Sequence, residues 1–164
     1  MGDAPSLDPT RIPLQRCLHL EIVTDTPKGR GVFAMRDIPA KTIIDTCPVL
    51  VLGIEENLHH VAKTSLYHYT YNWPVTDEAG KEVKAQAVIF GLGSMFNHSR
   101  EEQNIVWERD LKRQMITYRA LRDIRAGEEL CISYGDHLTF IDADAPPAPR
   151  PEEEIDQLNR IQLD

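Results

Sequence analysis

Alternating apolar and polar residues dominate the first third of the chain. Between residues 17 and 23, three aliphatic side chains (Leu18, Leu20 and Ile22) alternate with polar ones, which predicts a half-buried β-strand. A turn is expected at 27–29, where proline, lysine and glycine follow one another. Further strands are predicted at 29–33, 42–44 and 49–52, with an interruption at Pro48. The first half of the chain is therefore predicted to be mostly β.

One helical pattern precedes the C-terminal part. Residues 54–66 place Leu58, Val61 and Leu66 among polar neighbours, at a spacing that predicts a helix. Strands are predicted again at 104–108 and 115–121, joined by a charged turn at 109–113 as a hairpin. Between the helix and the hairpin lie an aromatic-rich stretch (67–73), a polar turn (77–80) and an apolar run (85–90).

Both ends of the chain differ from its middle. Residues 1–15 carry three prolines and few large apolar groups, so we expect a flexible N-terminal arm. Residues 142–164 combine a Pro/Ala-rich linker with an acidic C-terminal segment. The predicted organisation is one domain at 16–141, with an insert at about 54–80, between these two ends.

Composition excludes several classes of protein. A chain of 164 residues with 41% hydrophobic residues suits a single globular domain. We find no apolar run of membrane-spanning length and no secretory signal, so we expect an intracellular protein, in nucleus or cytoplasm, without a membrane partner. The three cysteines are far apart and form no Cys-x-x-Cys pair, so we expect free thiols and no metal.

The net charge is unevenly distributed along the chain. The formal charge of −8 argues against direct binding of nucleic acid, which needs clustered basic residues. Residues 136–164 hold eight acids and two bases, whereas residues 1–135 hold 18 acids and 16 bases. A nearly balanced domain therefore precedes an acidic extension, which either attracts a basic partner or maintains solubility.

Three short motifs carry the candidate chemistry. Gly29-Arg30-Gly31 lets a ligand approach the backbone, although an ordinary glycine turn is the commoner explanation of this segment taken alone. Residues 91–99 end an apolar run with Asn97-His98-Ser99, which suits a polar ligand or a turn with a satisfied histidine. In 127–135 a short apolar strand ends at Tyr134, whose hydroxyl alone could simply face water.

Together, and in this order, the three motifs resemble the SET-domain protein lysine methyltransferases. The resemblance runs from about residue 16 to 136 and includes the approach at 119–127 to the last motif. It implies a mostly β fold with short helices, built of several small sheets around a knot-like cofactor and substrate site. It also implies S-adenosylmethionine as cofactor, S-adenosylhomocysteine as product, and no metal.

The resemblance assigns roles to individual residues. Tyr134 matches the catalytic tyrosine of the family. The positions that match cofactor-binding residues are Lys28, Gly29, Arg30, Gly31, Tyr69, Asn97 and His98. The positions that match the channel for the substrate lysine are Tyr71, Trp107, Ile132 and Tyr134. Phe140 is a further candidate, for stacking on adenine.

The chain departs from the family at three places. Many members carry a Cys-rich zinc segment after the last motif, and an acidic segment stands there instead. Residues 152–163 either close the cofactor side or form a solvated tail. Cys47 lies near a position where some members have a channel tyrosine. Ile132 is smaller than the Phe or Tyr that limits methylation in relatives, which favours di- or trimethylation.

The function implied is methylation of a lysine in a basic protein, such as a histone tail. Two alternatives remain open at this point. One is a non-catalytic SET-fold module that binds a peptide or the cofactor, and the other is a methyltransferase of a non-histone protein. Either a monomer or a homodimer is compatible with the sequence.

Overall fold

The computed structural model describes residues 10–133. Within this range β-strands predominate over one short α-helix and three 3₁₀ helices, which confirms the predicted fold class. The strands are β1 (Leu20–Thr26), β2 (Gly29–Ala34), β3 (Ile43–Val51), β4 (Thr70–Thr76), β5 (Glu82–Ile89), β6 (Asn97–His98), β7 (Ile105–Asp110), β8 (Met115–Ala120) and β9 (Cys131–Ile132). The helices are α1 (Ile54–His59) and the 3₁₀ helices Val61–Lys63, Ser65–Tyr69 and Gly93–Met95.

The strands of the described residues form three sheets. β1 and β2 make an antiparallel ribbon, and the largest sheet has the order β4-β5-β3-β8-β7. β6 and β9 form a parallel pair in which Asn97 lies opposite Cys131 and His98 opposite Ile132. Because β9 follows the β7–β8 hairpin, this parallel pair returns the chain to the strand that carries Asn97. Two of the three motifs thereby become neighbours.

The five-stranded sheet is strongly curled. Its edge strands β4 and β7 would lie about 19 Å apart in a flat sheet, at about 4.8 Å per strand. The rings of Tyr71 on β4 and Trp107 on β7 nevertheless have centroids only 6.1 Å apart. The strand next to β4 carries small side chains on this face, with Ala85 opposite Trp73 and Ala87 opposite Tyr71. These alanines leave room for aromatic side chains from both edges to meet above the sheet.

The first strand differs from its prediction. β1 begins at Leu20, because His19 has a φ of 65°, a left-handed conformation that a regular strand does not contain. Leu18 and Ile22 are 74% and 48% exposed, so the predicted buried face is wrong. β1 pairs only with β2 among the described strands, and it is β2 that contributes buried residues such as Val32.

The predicted interruption at Pro48 is also wrong. β3 runs through this proline as a central strand. Its last pairing with β5 joins Val49 to Ile89, and the Pro48 carbonyl accepts from the Phe90 N–H at 3.0 Å. The missing N–H of Pro48 therefore faces the end of β5, where no further strand hydrogen bond is required.

Two further elements differ in their bounds. The predicted helix at 54–66 is broken into α1 and 3₁₀ turns, and its apolar residues Leu58 and Leu66 are exposed. The hairpin is confirmed, with Trp107 opposite Tyr118. Its turn is shorter than expected, because Arg109 and Asp110 belong to β7 and the chain reverses at 111–114.

Candidate active site

A cavity of about 430 Å³ lies beside the turn between β1 and β2. This volume falls within the range of small-molecule sites, about 300–1,000 Å³. Five of its lining residues are among those predicted to bind the cofactor, and the other four come from β1, the insert and the loop before β6. The lining residues are Thr24, Lys28, Gly29, Arg30, His68, Tyr69, Ser94, Met95 and Asn97.

The turn beside the cavity is held in a defined conformation. Gly29 has a φ of 86°, which favours glycine. The hydroxyl of Thr26 donates to the Gly29 carbonyl at 2.6 Å and accepts from the Lys28 N–H at 3.1 Å. The ammonium of Lys28 donates to the His98 carbonyl at 3.1 Å. A positive charge is thereby fixed where the turn meets β6.

Asn97 connects the three sequence motifs. Its Nδ2 donates to the Arg30 carbonyl at 2.9 Å and to Oε1 of Glu129 at 2.7 Å. Both amide hydrogens are thus used, and no donor from residues 10–133 reaches its Oδ1, which is left as an acceptor beside the cavity. A Cβ on Gly31 would collide with Oε1 of Glu129, so a larger residue there must displace the carboxylate that Asn97 binds.

The insert reaches the cavity through Tyr69. The Ser94 hydroxyl lies 2.9 Å from the carbonyls of both Tyr69 and Ile89, which joins the insert to the loop before β6. The Tyr69 side chain is 41% exposed and lines the cavity. An aromatic ring at this place offers a flat apolar surface to a ligand.

Tyr71 and Trp107, predicted to line the channel for the substrate lysine, are in contact. Their rings meet edge to face, with an interplanar angle of 72°. The Tyr71 hydroxyl donates to the Gly93 carbonyl at 2.7 Å, which fixes one side of the pair. On the other side, the guanidinium carbon of Arg109 lies 4.5 Å from the centre of the Trp107 ring. The two aromatics therefore form one cluster with the loop that precedes Asn97.

The buried carboxylate of Asp45 supports the loop that precedes Asn97. Asp45 is 3% exposed, and its Oδ2 accepts from the Leu92 N–H at 3.0 Å. Arg16 binds both oxygens of Asp45, at 3.2 and 2.9 Å. The thiol of Cys47 donates to Oδ2 at 3.2 Å. Burial, with a smaller contribution from the charge of Asp45, raises the pKa of Cys47 to about 12.

The remaining predicted site residues lie around the cavity or outside the described range. His98 is 4% exposed and does not line the cavity, although its carbonyl binds Lys28. Ile132 is fully buried in β9 opposite His98. Tyr134 and Phe140 lie outside the described residues, so their placement remains a prediction.

Sequence reasoning missed several residues of the site. Glu129, which accepts from Asn97, is part of the last motif, but its role depends on pairing across 32 residues. Asn104 is 1% exposed and holds β9 through its side chain. A lone asparagine that begins an apolar strand was the only signal for it. Thr24 carried no distinctive pattern, and His68, Ser94 and Met95 lie within stretches that the sequence singled out without assigning a role to these residues.

Residues 10–133 contain neither a membrane-spanning helix nor a cluster of metal-binding side chains. No helix there is long and apolar enough to cross a membrane. The same range contains no cluster of three or more histidine, cysteine, aspartate or glutamate side chains suited to a metal ion.

Comparison with known proteins identifies the relatives of this chain. A family model described as SET domain matches residues 29–135. A Schizosaccharomyces pombe protein named histone-lysine N-methyltransferase, H3 lysine-37 specific, is 48% identical over 156 residues, which cover 93% of this chain and 99% of that protein.

Solved structures show the same fold. The Cryptosporidium protein CpSET8 has a TM-score of 0.55 and 26% identity, covering 71% of this chain and 57% of its own. A candidate histone methyltransferase from Plasmodium falciparum has a TM-score of 0.52 and 24% identity, covering 72% of this chain and 98% of its own.

Proposed function

Because this chain belongs to the SET-domain family, we propose that it is an S-adenosylmethionine-dependent protein-lysine methyltransferase that acts on a histone. The observation that carries the proposal is the pair of hydrogen bonds donated by the Asn97 side chain. This side chain links the Gly-x-Gly strand to Glu129 at the edge of a cavity of suitable size. Family membership indicates the type of reaction, and the cavity has a suitable volume for the cofactor of that reaction.

The cavity residues fit S-adenosylmethionine. Lys28 and Arg30 place two cations beside the cavity, which suits a carboxylate. Oδ1 of Asn97 is an acceptor, which suits an ammonium group. The ring of Tyr69 suits a planar base. We assign these residues and Gly29, which line the cavity, to cofactor binding, and we assign Gly31 and His98, which do not line it, on the family resemblance alone.

The residues of the site act mainly by aligning the substrate amine with the methyl group that is transferred. When bound, S-adenosylmethionine supplies an electrophilic methyl group on a sulfonium. A direct displacement needs the accepting amine held in line with that methyl group and shielded from water. Tyr71 and Trp107 pack the methylene stem of the substrate lysine, and their faces tolerate a cationic head. Ile132 and Tyr134 complete this channel.

Tyr134 is proposed as the catalytic residue. It follows β9 by two residues, and β9 is held against β6, which carries Asn97. A hydroxyl at this point orients the amine or the methyl group, and C–H···O contacts contribute a smaller amount. Because Ile132 is smaller than an aromatic residue, we propose di- or trimethylated lysine as the product.

A histone tail is the proposed substrate. The Schizosaccharomyces pombe relative, whose name specifies lysine 37 of histone H3, is similar over nearly all of both chains. The acidic extension at 136–164 would attract a basic tail. We therefore propose lysine 37 of histone H3 as the first site to test, and the nucleus as the compartment.

The proposal is tested by incubating the full chain with labelled S-adenosylmethionine and either core histones or cell extract. Mass spectrometry then locates the modified residue and counts its methyl groups. We expect label on histone H3 that disappears when lysine 37 of that histone is replaced by arginine. Label only on other proteins would favour a non-histone substrate, and cofactor binding without any transfer would favour a binding module.

A further inference from the structure

Arg109 lies between the two tryptophans of the chain. Its guanidinium carbon is 4.5 Å from the ring centre of Trp107, two residues away on the same strand. It is 5.8 Å from the ring centre of Trp73, on the opposite edge strand of the curled sheet. One cation therefore contacts aromatic residues from both edges of the sheet.

The charge of Arg109 has no acidic counterpart in the described part of the chain. Its neighbour Asp110 pairs with Arg113 instead, at 3.6 Å. Nε of Arg109 is buried, and no hydrogen-bond acceptor among residues 10–133 reaches it. Burial lowers the pKa of the guanidinium. Partial burial of an unpaired cation is unfavourable, and the two indole rings offset that cost.

An apolar residue would fill the same space without this cost. The neighbouring positions on this face of the sheet are mostly apolar or aromatic, including Ile105, Trp73 and Ile116, and its buried carboxylate, Asp45, is bound by Arg16 instead. Positions that break a local packing rule are often functional. The half-buried arginine at this position therefore points to a role other than filling space.

That role concerns the orientation of Trp107. Arg109 lies over the Trp107 ring, and Tyr71 meets the same ring at 72°. Tyr71 is itself anchored on the Gly93 carbonyl. A ring face covered by a guanidinium is closed to a substrate, so Trp107 presents its remaining surface next to Tyr71.

We propose that Arg109 is a positioning residue that sets the width of the lysine channel by holding Trp107 against Tyr71. This inference rests on the proposed function, because Tyr71 and Trp107 are channel residues only in a lysine methyltransferase. Arg109 acts through Trp107 and determines two properties: the affinity for the substrate peptide and the number of methyl groups that the channel accommodates.

Two substitutions of Arg109 and one control test the proposal in the full-length enzyme. Arg109→Met keeps an unbranched apolar stem and removes the planar cation, whereas Arg109→Lys keeps a cation. Arg113→Met removes a nearby exposed arginine on the same hairpin. The measurements are KM for a histone H3 peptide, KM for S-adenosylmethionine, kcat, the ratio of mono-, di- and trimethylated product, and Tm.

We expect Arg109→Met to raise the peptide KM about tenfold and to change the product ratio, with the KM for S-adenosylmethionine unchanged. Arg109→Lys should lie between Arg109→Met and the wild type, and Arg113→Met should match the wild type. Unchanged peptide KM and products in both Arg109 variants would overturn the inference. A parallel loss of Tm and of affinity for both substrates in both variants would also overturn it, since that is the result of a structural role alone.

A double-mutant cycle with Trp107→Phe tests whether Arg109 acts through Trp107. If it does, the double variant resembles Trp107→Phe alone, because the effects are not additive for residues that act as a unit. Additive effects on the peptide KM contradict the inference.

Fluorescence separates this inference from the proposed function. In Trp73→Phe protein, Trp107 is the sole tryptophan. We expect the H3 peptide to change its emission, and Arg109→Met to remove that change. A wild type that methylates no lysine contradicts the proposed function and with it the lysine channel, and the emission change then tests only whether Arg109 positions Trp107. An emission change that survives Arg109→Met contradicts the role of Arg109 even if the wild type methylates.

Discussion

Asn104 and Cys131 hold each other by two hydrogen bonds. The Cys131 N–H donates to Oδ1 of Asn104 at 2.9 Å, and the Asn104 N–H donates to the Cys131 carbonyl at 3.1 Å. Nδ2 of Asn104 also donates to the Glu129 carbonyl at 2.8 Å. One buried side chain thus fixes the short strand that leads in sequence to Tyr134.

Replacing Asn104 by alanine should destabilise the fold by about 2–3 kcal/mol, because the buried N–H of Cys131 and the partly buried carbonyl of Glu129 lose their partner. The free energy of unfolding is measured by urea denaturation. Gln103→Ala is the matched control, since Gln103 is less buried and its Nε2 makes one bond, to the Ile105 carbonyl. If Asn104→Ala lowers the free energy of unfolding no more than Gln103→Ala does, Asn104 does not hold β9.

Gly31→Ala should weaken cofactor binding more than it alters the rest of the fold. The added methyl group would collide with Glu129 and lie 3.1 Å from Nδ2 of Asn97, so the bond between those two side chains must move. We expect the Kd for S-adenosylmethionine, measured by calorimetry, to rise at least about tenfold, or about 1.4 kcal/mol. Gly53→Ala, where the nearest atom is 3.6 Å away, is the control. Equal affinities in the two variants would contradict the role of Gly31.

Stability should fall at alkaline pH through Cys47. The pKa of this thiol is about 12 in the folded protein, against an ordinary value of 9.0. Between these values the unfolded chain loses the proton and the folded one keeps it, so unfolding is favoured as pH rises above about 9. The contribution is about 1.4 kcal/mol per pH unit at most.

The contribution of Cys47 is isolated by comparing wild type with Cys47→Ala from pH 8 to 11. The difference in unfolding free energy between the two proteins should shrink steadily above pH 9. Cys17→Ala, at a less buried thiol, controls for general effects of removing a cysteine. A difference independent of pH would mean that Cys47 ionises equally in both states.

The methylation rate should rise with pH between 7 and 9. The substrate lysine must lose its proton, and its pKa in water is about 10.4. Removal from water disfavours the charged form, and the cations of the site act in the same direction. Initial rates with a histone peptide at saturating cofactor test this. A rate that falls steadily over this range would contradict the requirement for a neutral amine.

Tyr134→Phe should abolish most turnover and leave cofactor binding intact. The variant removes only a hydroxyl, so the predicted loss concerns orientation of the reacting groups. Single-turnover assays measure the chemical step, and calorimetry measures the affinity for S-adenosylmethionine. Parallel loss of turnover and of affinity would assign Tyr134 to the architecture of the site.

Local patterns predicted the parts of the fold that depend on neighbours in the chain. The β7–β8 hairpin followed from two apolar runs and a polar turn, and the turn at Gly29 followed from its glycine. Local patterns failed where tertiary contacts decide the outcome. Ile22 alternates correctly but is exposed, because the outer strand of a two-stranded ribbon buries little. Pro48 lies inside a central strand, because its missing N–H faces the end of β5.

The sequence by itself determined the family, the order of its motifs and the residue types of the site, since these are properties of short segments. Only the tertiary structure decided which of these segments meet. The parallel pairing of β6 with β9 and the contact of Arg109 with Trp73 join residues that are far apart in the chain. Such contacts depend on sheet curl and strand register, which arise from the packing of all strands together and leave no local pattern.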